Sequence, residues 1–211
     1  MKNILIVGSH YDDTELGAGG TAAKFASEGK KVYKLTLTNN VTRSKHLHLN
    51  IEYDTSIKES NEACKILGIN ELTEFAPTEC SQLFYNTETM QKIEDVIYTY
   101  QIDTVFMHFI DDANQDHISA SQLTKTAARH CDNLFAYQSN LYILTKPFYP
   151  TYFVDISAFI DKKIKALKQY SDGHNRFSSL FETTIERNKV WGYSNKVSYA
   201  EAFLPLKILM R

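Results

Sequence analysis

Ile4-Leu5-Ile6-Val7-Gly8-Ser9-His10-Tyr11-Asp12-Asp13-Thr14-Glu15, residues 4–15, is the stretch that decides the fold. Four apolar residues in a row, closed by Gly8, read as a strand buried on both faces. Leu16 to Glu28 then reads as a helix, with Ala22, Ala23, Phe25 and Ala26 on its apolar side. Gly29 stands where a helix C-terminus favours glycine. Gly17, Ala18, Gly19 and Gly20 lower the helix propensity of the first turns, and their small size suits close packing of helix on strand. The pattern is not Gly-x-Gly-x-x-Gly and lacks a P-loop lysine, so it does not mark a phosphate cradle. Lys31 to Thr38 is a second strand. Strand, helix, strand at this spacing implies a right-handed crossover and a parallel sheet.

The alternation continues outward. Residues 39–53 lack a period and are rich in Asn, His and basic residues, which predicts a long loop of the kind that often serves as a lid. Helices are expected over 54–67, closed by Gly68, and over 87–100, where Met90, Ile93, Val96 and Ile97 form one stripe. Thr104-Val105-Phe106-Met107 is another buried strand. Further helices are expected over 118–129, 160–170 and 180–191, and further strands over 71–76, 141–144 and 152–155. Residues 198–203 read as an extended or turn segment. No repeat or low-complexity linker interrupts the chain. Residues 1–211 are therefore expected to form one domain of α/β class, Rossmann-like, with a mainly parallel sheet flanked by helices.

With 43% apolar and 23% charged residues, the composition is that of an ordinary globular protein. A formal charge of −2 supplies no basic field for nucleic acid or membrane surfaces, so the expected partner is a small molecule. Cys64, Cys80 and Cys131 are odd in number and widely spaced, which argues against a disulfide framework and against a thiolate zinc site. The opening apolar run is too short for a signal peptide, and no run approaches the ~20 residues of a membrane span. A cytoplasmic location is the default expectation. Oligomeric state is left open.

The chemistry lies just beyond the buried strands. Ligands of open α/β sheets bind at the carboxyl ends of strands. The first strand runs into His10-Tyr11-Asp12-Asp13-Thr14-Glu15. The strand ending at Met107 runs into His108-Phe109-Ile110-Asp111-Asp112-Ala113-Asn114-Gln115-Asp116-His117. A parallel sheet puts both clusters on one edge. Neutral imidazole plus carboxylate is the donor chemistry of a catalytic zinc site, in which three protein ligands leave a fourth position for water.

The run His10-Tyr11-Asp12-Asp13-Thr14-Glu15 resembles the His-Pro-Asp-Asp-x-Glu motif of the PIG-L (LmbE-like) zinc-dependent N-deacetylases. Asp112-Ala113-Asn114-Gln115-Asp116-His117 is similar to that family's Asp-x-His-x-Asp-His. The resemblance implies His10, Asp13 and His117 as zinc ligands and Asp12 as general base. Tyr11 replaces a proline that is not a ligand. Asn114 replaces a histidine that helps stabilise the oxyanion; an amide still donates a hydrogen bond but carries no positive charge. His108 is the expected stand-in beside the substrate. Asp116 is expected to orient His117 or another ligand. Residues 59–68 and 198–203 are similar to the family's Leu-Gly helix end and its closing Ala-Glu-Ala-Phe. The family often carries an arginine three residues before the position of Glu59, where this sequence has Ser56. The implied reaction is removal of an acyl group from an N-acetylated amino sugar or its conjugate.

Plainer readings stand beside these. Asp12 and Asp13 suit helix caps, and Glu15 suits a first helical turn or a partner of the ligands. Arg43, Lys45, His46 and His48 suit a solvated loop, although Arg43 is the best candidate there to grip an anionic group of the substrate. His130 and His174 read as incidental, and Trp191 as core or a local lid. Two histidines and one carboxylate also suit non-haem iron(II). A non-catalytic nucleotide- or sugar-binding module is the other rival. The missing glycine fingerprint, and Thr38-Asn39-Asn40 in place of an acidic residue after the second strand, count against nucleotide binding.

Overall fold

The computed structural model describes residues 1–46, 49–73, 77–142, 145–170 and 180–209. In chain order these form β1 (Asn3–Gly8), α1 (Asp13–Ser27), β2 (Lys31–Thr36), β3 (Thr42–Ser44), β4 (Leu49–Ile51), α2 (Tyr53–Leu67), β5 (Asn70–Glu71), α3 (Thr87–Thr99), β6 (Thr104–His108), α4 (Gln115–Ala127), β7 (Asn133–Tyr137), β8 (Tyr152–Asp155), α5 (Ile160–Leu167), α6 (Glu182–Ser194) and β9 (Ala200–Lys207). One seven-stranded sheet has the order β5-β2-β1-β6-β7-β9-β8. The strands from β5 to β7 run parallel, and β9 is antiparallel to both β7 and β8. β1 lies between β2 and β6, so the strand order reverses there, and the carboxyl ends of β1 and β6 form the switch point at which open α/β sheets bind ligands. The expected Rossmann-like, mainly parallel sheet is the one observed.

Alternation along β1 divides the core. Ile4 and Ile6 join Phe106, Phe135 and Phe203 under α1, α2 and α5. Leu5 and Val7 join Met107, Ile93 and Leu123 under α3 and α4. All four β1 side chains are fully buried, each contributing about 1.5–3 kcal/mol by leaving water. This is why the run has no polar alternation.

The small residues of α1 are there for contact. A Cβ at Gly17 would lie 2.1 Å from the Tyr137 ring, and one at Gly20 would lie 2.7 Å from Ile156. Gly17→Ala is expected to lower stability by about 1–3 kcal/mol through overpacking. The readout is a lower urea midpoint at unchanged slope; an unchanged midpoint would show that the Tyr137 ring gives way freely.

Several boundaries differ from expectation. The strand after α4 is β7 at Asn133–Tyr137, whereas 141–144 was expected; Leu141 and Tyr142 are irregular, and 143–144 lie outside the described residues. Asn-Leu-Phe-Ala-Tyr has no β-branched residue, yet all five residues are buried beside β6. Burial overrides propensity here. The 39–53 loop carries the β3–β4 hairpin, with Thr42 opposite Ile51. The strand expected over 71–76 is only Asn70–Glu71, and 74–76 lie outside the described residues. The extended segment near 198 is β9, inserted between β7 and β8. Among the described residues no helix is long and apolar enough to cross a membrane.

Candidate active site

The turn from β1 into α1 is built around Asp13. Its Oδ2 accepts the backbone N–H of Ser9 at 3.1 Å and of His10 at 2.8 Å. Asp12 occupies the N-cap position of α1 but makes no side-chain capping bond to the helix. The cap reading therefore fails for Asp12, which is 5% exposed. From the neighbouring strand, β6 ends at His108, and α4 starts at Gln115 with His117 in its first turn.

Both clusters converge as the parallel sheet requires. His10 Nδ1 lies 3.3 Å from Asp13 Oδ2 and 3.3 Å from His117 Nε2. His117 Nε2 lies 3.3 Å from Asp13 Oδ1. A tetrahedral ion with bonds of about 2.0–2.1 Å to nitrogen and oxygen holds two donors about 3.3 Å apart. The donor set therefore matches a tetrahedral divalent cation in both chemistry and spacing.

Carboxylates behind the imidazoles set their tautomers. His117 Nδ1 faces Asp112 Oδ2 at 3.0 Å, and His10 Nε2 faces Asp116 Oδ2 at 3.3 Å. A proton on each of these nitrogens leaves His117 Nε2 and His10 Nδ1 with lone pairs toward the cluster. Asp116 thus partners His10, while Asp112, which had no expected role of its own, partners His117. Burial pulls the His117 imidazole down, but Asp13 and Asp112 outweigh it and raise it to about 9. Burial pushes Asp13 up, yet His117 and His108 hold it well below the usual carboxylate range.

Three further expected site residues have these surroundings. His108 is fully buried: its ring stacks on His117 at 4.1 Å, and its Nε2 lies 3.1 Å from Asp13 Oδ2 and 3.1 Å from the Ser9 backbone nitrogen, whose N–H Asp13 Oδ2 also accepts. It packs against Asp13 and His117, and with Asp112 and His117 it forms a further group of donor atoms within 4.8 Å of one another. Asn114 caps α4, its Oδ1 accepting the Asp116 N–H at 2.8 Å. Arg43 is an exposed hairpin residue paired with Glu52 at 3.2 Å. His48 and His174 lie outside the described residues.

Sequence reasoning missed a buried clasp beneath the turn. Lys34 Nζ donates to the Tyr11 carbonyl at 2.5 Å, Glu15 at 2.9 Å and Ser60 at 2.6 Å, and Tyr170 OH donates to the same Tyr11 carbonyl at 2.7 Å. Burial pushes the Glu15 carboxyl up, and Lys34 only partly offsets this, leaving it at about 7. The available signal was Lys34 itself: a lysine within a buried strand needs a carboxylate nearby.

This is a Rossmann-like α/β protein with a His–Asp–His donor cluster at its switch point. The chain belongs to the PIG-L family, described as GlcNAc-PI de-N-acetylase, whose profile matches residues 5–128 and so spans both motifs. YaiS of Escherichia coli K12, an uncharacterised deacetylase, is 25% identical over 175 residues, 80% of this chain and 90% of that protein. The conserved protein TT1542 of Thermus thermophilus is 27% identical, with a TM-score of 0.80 over 100% of this chain and 97% of its own. Two further structures share the fold. The 4-carboxy-2-hydroxymuconate hydratase GalB of Pseudomonas putida KT2440 is 20% identical, with a TM-score of 0.80 over 100% and 98% of the two chains. The N,N'-diacetylchitobiose deacetylase of Pyrococcus horikoshii is 19% identical, with a TM-score of 0.79 over 97% and 84%.

Proposed function

We propose that this chain is a zinc-dependent hydrolase that removes the N-acetyl group of an amino sugar or its conjugate, with His10, Asp13 and His117 holding the metal. The observation that carries the reading is the 3.3 Å separations among His10 Nδ1, His117 Nε2 and the two carboxylate oxygens of Asp13, with Asp12 buried in the same turn. Membership of a de-N-acetylase family and a deacetylase relative support the reaction type. Zinc, when bound, lowers the pKa of a bound water to about 7 and polarises the amide carbonyl. Asp12 takes the proton of the attacking water and returns it to the departing amine, so acetate and free amine leave together. Asp112 and Asp116 hold the ligand histidines in the tautomers described. His108 packs against Asp13. With its oxygen fixed on α4, Asn114 has its Nδ2 hydrogens left as donors to the oxyanion.

The test is zinc-loaded protein with N-acetylglucosamine conjugates and N,N'-diacetylchitobiose, reading free amine and acetate in parallel. Equal release of both supports the reading. No amine from any N-acetylated sugar, at about one zinc per chain, overturns it. Because the same fold belongs to a hydratase in P. putida, acetate release is the product that distinguishes amide hydrolysis from hydration.

Two further outcomes are expected at this site. Asp112→Asn should weaken metal binding by about 10–100-fold, measured by competition with a chelating dye; unchanged affinity would remove Asp112 from the metal's support. Metal affinity should also rise with pH up to about 9, where the raised His117 imidazole loses its proton. Below that pH the metal must displace a proton, so affinity falls by about tenfold per pH unit for each proton displaced. Calorimetry in buffers of different ionisation enthalpy should show that release at pH 7.

A further inference from the structure

His10 presents its two ring nitrogens to two different donor sets. Nδ1 faces Asp13 and His117. Nε2 lies 3.3 Å from Asp116 Oδ2, and Cys80 Sγ lies 3.8 Å from that same oxygen. One nitrogen of His10, the Cys80 sulfur and an Asp116 oxygen all fall within 4.8 Å of one another. A tetrahedral ion with a thiolate bond of about 2.3 Å and other bonds of about 2.0–2.1 Å separates sulfur from oxygen by about 3.6 Å and nitrogen from oxygen by about 3.3 Å. The observed separations are close to both. Asp116 Oδ2 also accepts the Ser81 N–H at 2.7 Å, and a carboxylate oxygen has lone pairs for both. Cys80 is only half-buried, whereas Asp13 and His117 are fully buried.

We propose that Cys80, Asp116 and His10 Nε2 form a second, thiolate-containing cation site that shares His10 with the His10–Asp13–His117 set and takes a soft divalent ion such as Zn²⁺ or Cd²⁺. The proposal rests on reading the first set as a metal site. Binding displaces two protons to solvent, one from the Cys80 thiol and one from His10 Nε2, and the imidazolate then bridges the two ions. Removing the second imidazole proton makes this site the weaker of the two. Filling it takes Asp116 away from His10 and adds positive charge beside the first ion, so excess zinc lowers turnover.

Cadmium is the probe, because its thiolate bond has a near-ultraviolet charge-transfer band. Zinc-loaded protein titrated with Cd²⁺ should develop that band with saturation near one equivalent. Cys80→Ala should abolish the band while keeping its first zinc. Cys64 and Cys131 are buried elsewhere, and a band that persists in Cys80→Ala would assign it to them and overturn the proposal. No band in the wild type, with zinc retained, overturns the second site while leaving the first standing. If the first-site reading is wrong, His117→Ala keeps its zinc whatever the cadmium result. In activity assays, Cys80→Ala should raise the inhibitory zinc concentration by about tenfold or more; equal inhibition of both proteins would rule out control through this site.

Discussion

Asp12→Asn is expected to lower turnover by about 10²–10⁴-fold, the range of general acid–base catalysis, while metal content stays near one per chain. The substitution keeps the shape of a side chain that is 5% exposed and removes its negative charge and its ability to accept and return a proton. No capping bond to α1 is lost, because the carboxylate makes none. The three donor separations at the neighbouring site do not involve it. Metal analysis and turnover should be measured on the same preparation. Loss of metal would make Asp12 a ligand. Full metal with full turnover would remove it as the base and leave proton transfer to another group.

His117→Ala is expected to remove the metal and reduce activity to background. The variant loses the donor nitrogen that lies 3.3 Å from both His10 and Asp13. It also leaves Asp112 without its imidazole partner and removes the ring stacked on His108 at 4.1 Å. An unpaired buried carboxylate costs about 1–3 kcal/mol or more, so a thermal melt must accompany the metal analysis. A folded variant without metal supports the assigned site. A folded variant that keeps about one zinc per chain places the third ligand elsewhere and overturns the assignment.

Much of this was legible because the signals are local. Ile4-Leu5-Ile6-Val7 and Thr104-Val105-Phe106-Met107 could only be doubly buried strands, and in a parallel sheet their polar continuations share one edge. That rule brings the clusters at residues 10–15 and 108–117 to one edge, and the resemblance to the PIG-L family picks out His10, Asp13 and His117 within them. The β7 strand was misplaced because its burial comes from β6 on one side and β9 on the other, not from its own composition. The thiolate cluster was hidden for a similar reason. Cysteine spacing speaks only of cysteines near one another in the chain, whereas the partners of Cys80 come from the β1–α1 turn and from α4.

Sequence by itself determined the strand–helix order around β1, the parallel edge where chemistry collects, and the residue types gathered there, since each follows from short-range apolar patterning. Only the tertiary structure decided which carboxylate orients which imidazole, that His108 packs against Asp13 and His117, that Arg43 pairs with Glu52, and that Lys34 and Tyr170 clasp the Tyr11 carbonyl. Those choices are contacts between side chains distant in sequence or on the far sides of turns. They are set by how the buried polar groups satisfy one another once the sheet has closed, and no periodicity along the chain encodes that.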